Sequence, residues 1–171
     1  MKRVGHLFEQ IADFHALCRA ARRAARGKHL TPATAAFLMD LEPNVLALRR
    51  ELLAGTWRPS PYRTFFIRDP KPRAISAAAF GDRVVHHALC AALEPVFERV
   101  AVHDSYACRP GKGGHAALAR LQAFVRGGGW FVKLDVEHFF ETASHAVLKA
   151  ALRRVVKDAR ALDLCDRFID A

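Results

Sequence analysis

The chain has 171 residues, a hydrophobic fraction of 51% and a formal net charge of +10 at pH 7. Its length fits one domain, or one domain and a fragment of a second, and its apolar content is sufficient for a packed core. No window is long and apolar enough to span a membrane. The basic start, residues 1–6, is not followed by a long apolar core or a small-residue cleavage site. We therefore predict no signal peptide and a cytoplasmic location.

The positive charge is concentrated toward the N-terminal side. Residues 1–120 hold 19 of the 27 Lys and Arg and 10 of the 17 Asp and Glu, whereas residues 121–171 hold 8 and 7. A basic surface attracts phosphate backbones and releases their counterions. The charge fits a nucleic-acid partner, and it fits equally a generically basic protein from an arginine-rich proteome.

The four cysteines indicate free thiols. No Cys-x-x-Cys pair occurs among them, so a reduced state in a reducing compartment is predicted. His86, His87 and Cys90 have a one-turn spacing that could begin a metal site. Because a structural zinc needs about four ligands, packed or surface residues of a helix are the favoured interpretation.

The N-terminal part is predicted to be helical. Apolar residues at three-to-four spacing indicate one helix over residues 6–27 and a second from Pro32 to Leu53, each followed by a glycine stop signal. A β-hairpin should follow. Prolines and alternating aromatic residues favour extended structure from Trp57 to Ile67, and the proline-rich turn Asp69–Arg73 cannot be helical.

The second half is predicted to contain helices and one further strand. The predicted elements are a returning hairpin strand over Ala74–Ser76, a helix over 79–93 with Pro95 at its end or in the following turn, a loop over Ser105–Gly114, a helix over His115–Val125, a strand over Trp130–Val136, a helix capped by Ser144 and reaching Val156, and a last helix over Leu162–Ile169. This pattern predicts an α+β fold that is helix-rich, with a few short antiparallel strands. We divide the chain into regions 1–56, 57–126 and 127–171.

Three segments carry residues suited to phosphate chemistry. Lys71 and Arg73 lie in a turn that prolines stiffen, where cations could neutralise a triphosphate, although an exposed turn has ordinary solvated cations too. Residues 105–115 are rich in glycine and basic residues and precede a helix, which suits phosphate binding, although a flexible connector has the same composition. This loop lacks the Walker A spacing.

The third segment is the apolar run around Asp135. A carboxylate among β-branched and aromatic residues is costly to bury unless it is paired or binds a metal. Mg²⁺ commonly uses one or two carboxylates together with substrate phosphates. A strand-end aspartate can also cap a turn, and one carboxylate does not decide between these two interpretations.

Four segments together resemble the reverse transcriptases of bacterial retroelements, of the group II intron and diversity-generating retroelement branch. They occur in the family's order and cover roughly residues 35–155. The segments are F-F-I-R-D-P-K-P-R-A-I (65–75), F-G-D-R-V-V-H-H-A-L (80–89), D-S-Y-A-C-R-P-G-K-G-G-H (104–115) and F-V-K-L-D-V-E-H-F-F (131–140).

The resemblance implies a right-hand polymerase, with residues 57–126 as fingers and residues 127–171 as the start of the palm. It implies RNA-directed DNA synthesis with Mg²⁺, an RNA template, a DNA primer and a dNTP, and no membrane partner. An accessory protein, or a chain that supplies the rest of the palm, would be further partners.

The resemblance also implies roles for individual residues in the palm. Asp135 matches the first catalytic aspartate and metal ligand, and the Val136 carbonyl matches a further metal contact. The amides of His138 and Phe139 match groups that approach the triphosphate. Phe140 matches the bulky residue that stacks beneath the sugar and excludes a 2′-hydroxyl.

Roles in the fingers follow from the same resemblance. Lys71 and Arg73 match the hairpin cations that contact the triphosphate of the incoming dNTP. Arg109 and Lys112 match a loop near the template and nucleotide.

Two departures from the family pattern stand out. The family's I-D-H-like triplet reads Ala143-Ser144-His145 here, and no Asp-Asp pair occurs in the 171 residues. One carboxylate cannot hold the two metal ions of phosphoryl transfer about 3.5–4 Å apart. We therefore predict that this polypeptide does not polymerise DNA alone. A non-catalytic nucleic-acid-binding module and one half of a split enzyme are the alternatives. We also expect the apolar C-terminal helices to leave hydrophobic surface exposed.

Overall fold

The computed structural model describes residues 2–28, 31–68 and 70–171, with the side chains of residues 140 and 141 outside that description. Within these residues the protein is helix-rich with one antiparallel strand pair, so the α+β class is confirmed. None of the described helices is long and apolar enough to cross a membrane. The elements are α1 (Phe8–Ile11), α2 (Phe14–Ala24), α3 (Pro32–Met39), α4 (Leu41–Ala54), β1 (Arg63–Arg68), β2 (Pro72–Ala77), α5 (Phe80–Glu98), α6 (Gly114–Arg126), α7 (Phe139–Thr142), α8 (His145–Val155) and α9 (Ala159–Ile169).

The first helical pattern is divided at Asp13, although the sequence predicts one helix over residues 6–27. Asp13 has extended backbone angles (φ −69°, ψ 136°), and its carboxylate accepts a hydrogen bond from the Ala16 amide at 2.8 Å. An aspartate stabilises a helix more as its N-cap than in its interior, because its side chain satisfies an otherwise unpaired amide there. The prediction of a single helix is therefore wrong.

The second helical pattern is divided at Asp40. Its backbone (φ −111°, ψ 45°) lies outside the α-helical region and separates α3 from α4. The physical reason is Pro43, which has no N–H for a helical hydrogen bond and is tolerated only in a first turn. A break at Asp40 places Pro43 in the first turn of α4. The predicted end at Gly55 is confirmed, since this glycine is left-handed (φ 71°) and caps the helix.

The predicted hairpin is confirmed. Strands β1 and β2 pair antiparallel, with Phe65 opposite Ile75 and Ile67 opposite Arg73. Extended pairing does not begin at Trp57, because the prolines between it and β1 have no N–H to donate to a ladder. The predicted turn residue Asp69 lies outside the described residues.

Helix α5 continues past Pro95 to Glu98, so the predicted end of this helix is wrong. Pro95 removes one helical hydrogen bond, which costs about 3 kcal/mol in a helix interior. The residues beyond it offset this cost through burial, since Val96 is only 2% exposed and Phe97 packs against the core. Buried apolar side chains thus run along α5 on both sides of the proline.

The core is built from α1, α2, α4, α5 and α9. Alanines on α2 and α5 allow the two helices to pack closely, and Trp57 is buried after the end of α4. The Trp57 ring lies 4.9 Å from that of Phe168 on α9, and the Phe168 ring lies 3.8 Å from His86 on α5. The last helix therefore packs inside the N-terminal core. The largest fully buried side chains are Ile11, Leu17, Thr34, Val45, Val84, Val85, Val96 and Val156.

One carboxylate, that of Asp158, caps two helices that are far apart in the sequence. Its Oδ2 accepts hydrogen bonds from the amides of Leu7 and Phe8 at 2.7 and 2.9 Å. Its Oδ1 accepts from the amides of Arg160 and Ala161, both at 3.1 Å. Burial raises the pKa of this carboxyl, but the four N–H donors outweigh burial and the net pKa is lowered.

Two more contacts join the chain's N-terminal segment to α9 and the turn before it. Val4 forms a parallel bridge with Val156, through a hydrogen bond from its amide to the Val155 carbonyl at 2.8 Å. The Arg160 guanidinium lies 3.8 Å from the centre of the Phe8 ring. These contacts close the helical core on the side where α1 and α9 begin.

The segment from residue 99 to residue 143 is much more open than this core. Helix α6 has no buried residue, and Trp130–Val136 is irregular and exposed. The predicted strand over Trp130–Val136 is therefore wrong. A strand needs a neighbour for its backbone N–H and C=O groups, and within the described residues the two available strands already pair with each other.

Exposed apolar surface is confirmed, but its location differs in part from the prediction. Helix α9 is packed, with Leu164 and Cys165 buried. Helix α8 does expose Val147 and Leu148, as predicted. Most of the further exposed apolar side chains in this half lie on α6 and on the segment that follows it, because the described chain provides no cover for them. They are Leu118, Leu121, Phe124, Val125, Trp130, Phe131, Val132, Leu134, Val136 and Phe139.

Replacing Asp158 tests its role in holding the fold closed. We expect Asp158→Ala to lower the free energy of unfolding by about 2 kcal/mol or more, because it removes two caps at once. Asp13→Ala is the matched control, since Asp13 caps only α2 through one exposed hydrogen bond, and we expect a loss of about 1 kcal/mol. Urea unfolding measures both. Equal losses would contradict the double role.

The same carboxylate predicts a pH dependence. Because its pKa is lower in the folded state, its stabilisation is present above the ordinary aspartate pKa, about 3.9. It is lost as the pH falls through the lowered folded value. The difference in stability between the wild type and Asp158→Asn should therefore shrink in acid.

Candidate nucleotide and nucleic-acid site

The predicted nucleotide cations, Lys71 and Arg73, lie at the tip of the hairpin and are exposed. All six residues of β1 are exposed as well, so the hairpin projects into solvent. Opposite residues of an antiparallel pair share a face. The register therefore places Arg73 on the same face as Ile67, Phe65 and Arg63. The hairpin thus presents an apolar strip flanked by cations.

The base of this hairpin is fixed to the core by hydrogen bonds that the sequence did not predict. Asp82, which is 5% exposed in the first turn of α5, accepts a hydrogen bond from the Ser60 amide at 2.9 Å. Arg167 on α9 donates to the carbonyls of Gly55 and Trp57 at 3.0 and 2.6 Å. The aspartate of the F-G-D-R motif was the available signal, since an acid in an otherwise apolar helix face needs a partner.

The predicted palm residues lie together in one exposed segment. Asp135 and Val136 are in irregular backbone, and His138 has left-handed backbone angles (φ 50°, ψ 39°) where it begins the short helix α7. Phe139 is 56% exposed. The side chain of Phe140 lies outside the described residues.

This segment fits a magnesium ion only in part. Asp135 offers a carboxylate and Val136 a carbonyl, both hard oxygen ligands of the type that Mg²⁺ prefers. Among the described residues no three His, Cys, Asp or Glu side chains lie close enough to hold a metal together. The donor set therefore falls short of a two-metal centre, and no chemical step follows from these residues alone.

Arg109, a predicted nucleic-acid contact, is engaged within its own loop. Its guanidinium makes a two-pronged ion pair with Glu98 at 2.8 and 2.9 Å. It also donates to the carbonyls of Val102 and Ser105 at 2.7 and 2.8 Å. The side chain is only 13% exposed. Arg109 therefore holds residues 99–113 in a defined shape.

A second ion pair fixes the same loop to helix α6. The Arg120 guanidinium bonds to the Asp104 carboxylate at 3.0 Å, and Tyr106 donates to the same carboxylate at 3.0 Å. The hydrogen bonds from Arg120 and Tyr106 lower the pKa of Asp104 to about 2. Lys112, the other predicted nucleic-acid contact, donates to the His103 carbonyl and lies over the Tyr106 ring. The loop thus uses several of its cations internally.

The structure groups the predicted residues in three places. Lys71 and Arg73 share the hairpin, Arg109 and Lys112 share the ordered loop, and the palm residues share the exposed segment. No hydrogen bond or ion pair joins Lys71, Arg73 or Asp135 to the ordered loop in the parts of the chain that the structure describes.

A pair of variants separates a positioning role of Arg109 from direct nucleic-acid contact. If Arg109 acts through Glu98, Arg109→Gln and Glu98→Gln should both open the loop, and the double variant should add little to either. Amide hydrogen exchange of residues 102–113 measures this opening.

Binding of a labelled RNA duplex provides the second readout. If Arg109 only positions the loop, Glu98→Gln and Arg109→Gln should both weaken RNA binding, because both substitutions disorder the loop. A direct phosphate contact predicts that only Arg109→Gln weakens it, which would contradict the positioning role.

No protein-family model matches the chain. It is 35% identical over 131 residues to Protein YkfC of Escherichia coli K12, a match that covers 72% of this chain and 34% of that protein. It is 27% identical over 133 residues to the group II intron-encoded protein LtrA of Lactococcus lactis, covering 76% of this chain and 22% of LtrA. It is 36% identical over 87 residues to nuclear intron maturase 1, mitochondrial, of Arabidopsis thaliana, covering 51% of this chain and 12% of the maturase.

These similarities confirm the family that the four motifs predict. The chain belongs, over the part that is matched, to the retroelement-type reverse transcriptase and maturase family. It spans about a third of the length of YkfC and less than a quarter of LtrA.

Proposed function

We propose that the chain is the fingers and the beginning of the palm of an RNA-directed DNA polymerase of the group II intron type. In this proposal it binds an RNA template and a DNA primer but does not synthesise DNA alone. The observation that carries it is the exposed cationic hairpin, whose base is anchored to a closed helical core through Asp82 and Arg167. Family membership supports the same assignment.

The hairpin gives Lys71 and Arg73 a specific task. Both cations are exposed, and neither forms an ion pair with another described residue. They are therefore available to neutralise the charge of a dNTP triphosphate. The anchored base limits how far the tip can move, which lowers the entropy lost when a nucleotide is bound.

Magnesium would enter the site only with further ligands. Asp135 and the Val136 carbonyl would contribute oxygens, and the nucleotide phosphates would contribute others. When bound, Mg²⁺ supplies charge stabilisation for phosphoryl transfer. The amides of His138 and Phe139 would face the triphosphate in this arrangement, and Phe140 would lie beneath the sugar.

RNA binding without synthesis is the second candidate. Two of the relatives are named intron maturases. The hairpin and the core have regular secondary structure, whereas the segment with Asp135 is irregular and exposed. A module that binds intron RNA needs the hairpin and the core but not the segment with Asp135. An accessory protein, or a second chain that completes the palm, would restore the polymerase interpretation.

Primer extension tests the polymerase proposal. With an RNA template, a DNA primer, dNTPs and Mg²⁺, we expect the 171-residue chain to bind the template–primer but to give no synthesis above that of Asp135→Asn. Robust extension that Asp135→Asn abolishes would contradict the proposal.

Binding of the template–primer should fall steeply with salt, because phosphate contacts release counterions. Lys71→Gln/Arg73→Gln should weaken binding of a dNTP to the template–primer complex, because both cations are assigned to its triphosphate. The matched control is Arg50→Gln/Arg154→Gln, which removes two exposed cations elsewhere and should change dNTP binding less.

Tryptophan fluorescence tests the split-enzyme interpretation. Trp130 is fully exposed whereas Trp57 is 2% exposed, so iodide should quench Trp130 selectively. A polypeptide that corresponds to the part of YkfC beyond the matched region should protect Trp130 from iodide and enable Asp135-dependent synthesis. Trp57→Phe simplifies the signal, and Trp130→Phe gives the background. Unchanged quenching in a synthesising mixture would contradict assembly through this segment.

A further inference from the structure

A groove between α2 and α5 has one cationic wall, formed by arginines of α2, and an alanine floor. Its volume is about 140 Å³, several times the share of liquid volume of one water, about 30 Å³. Small side chains leave the groove open because they do not reach across it. It is lined by Gln10, Ala16, Arg19, Ala20, Arg23, His87, Ala88, Ala91 and Ala92.

The arginines of this groove are exposed and not neutralised. Arg19 and Arg23 make no hydrogen bond or ion pair with any residue that the structure describes. Burial, followed by the positive charges of Arg23, Arg83 and Lys28, lowers the pKa of His87. The influence of these three charges on His87 indicates that several cations lie near the same small region of α5. The Nε of Arg83 is itself buried without a hydrogen-bond partner.

Acidic residues on or beside these helices influence groups outside the groove. Asp13 and Glu42 influence the Cys18 thiol, which lies in a second pocket that shares Arg19 with the groove. Glu94 acts on the Cys90 thiol. Asp82 acts on His86 and binds the Ser60 amide. None of these carboxylates lines the groove itself, so no acidic side chain lies among the residues that face Arg23 there.

The cations follow one side of α2 and continue into the turn after it. Arg19 and Arg23 have i, i+4 spacing, which places them on one helix face about 6 Å apart along the axis. Arg26 follows in the turn beyond the end of the helix. A row of cations at this spacing suits a chain of regularly spaced negative charges better than a single small anion, and a phosphodiester backbone is such a chain.

We propose that the groove between α2 and α5 binds a backbone phosphate of a nucleic acid, and that Arg26, in the turn after α2, holds a neighbouring phosphate of the same strand. Arg19 and Arg23 would contact the phosphate from one wall and His87 from the other. This contact is separate from Lys71, Arg73 and Asp135. It does not require the chain to be a polymerase.

Removing the two groove arginines tests the site. Fluorescence anisotropy of a labelled RNA duplex, measured from 50 to 200 mM salt, should show weaker binding by Arg19→Gln/Arg23→Gln and a salt slope reduced by about 2. Arg50→Gln/Arg154→Gln removes the same charge elsewhere and should retain most of the slope. Equal effects of the two double variants would overturn the proposal. Circular dichroism melting checks that both variants are folded.

A substitution that keeps every cation tests the groove itself. Ala91 is exposed and lines it, so Ala91→Glu should place a carboxylate inside and weaken RNA binding, whereas Ala91→Gln fills similar space without charge and should weaken it less. The His87 ring resonances should also shift when RNA is added. No difference between the two variants, or an unmoved His87, would overturn the site.

Other polyanions define the remaining outcomes. Poly-glutamate or anionic phospholipid vesicles that bind as tightly as RNA, with the same loss in Arg19→Gln/Arg23→Gln, would overturn the nucleic-acid assignment. DNA and RNA duplexes that bind alike would support recognition of the phosphate backbone. Loss of RNA binding in Lys71→Gln/Arg73→Gln with the groove variants unaffected would sink this proposal and leave the polymerase proposal standing.

Discussion

The carboxylate of Asp158 is the constraint on which the rest of the structure depends. It satisfies four backbone amides at the starts of α1 and α9. Helix α9 then presents Arg160 to the carbonyl of Leu53 and Arg167 to that of Trp57. The end of α4 and the base of the hairpin are thus held by a helix that lies about a hundred residues later in the sequence. The anchored base of the hairpin that carries Lys71 and Arg73 follows from this closure.

The closed core differs sharply in burial from the segment that carries Asp135. The core satisfies its helix ends and buries its apolar faces, whereas α6 and residues 130–139 expose theirs. Burial of apolar surface stabilises by roughly 25 cal/mol per Å². Covering the exposed apolar side chains of this segment would therefore lower its free energy. The ordered loop held by Arg109 and Glu98 joins the two parts. The proposed cationic contacts therefore lie on an ordered part of the chain, whereas Asp135 lies in the exposed part.

Local patterns predicted the elements whose causes are local. The hairpin, the Gly55 cap and the Ser144 cap follow from turn and capping chemistry and were correct. The breaks at Asp13 and Asp40 were equally local, and a stricter reading of capping and of Pro43 would have found them.

The errors with non-local causes could not be avoided from the sequence. The run around Asp135 has the composition of a strand, but a strand exists only where another strand can pair with it. Burial of α9 depends on Asp158 reaching the N-terminal segment, which no periodicity reveals. The family resemblance identified the candidate site residues. It did not show that Arg109 is held by Glu98, because motif matching contains no information about partners.

The distribution of ion pairs determines which parts of the basic surface keep unpaired positive charge. In the C-terminal part, Lys149 pairs with Asp170, Arg153 with Asp166 and Arg167 with Asp163, so the charges largely cancel. Such exposed pairs add little stability. On α2 and on the hairpin, by contrast, the arginines have no acidic partner in the described chain. The excess of cations in residues 1–120 is therefore electrostatically available. Because unpaired cations close together repel one another, a polyanion that neutralises them gains energy at both surfaces. The same sequence bias thus supports both of the proposed phosphate-binding surfaces on one closed helical core.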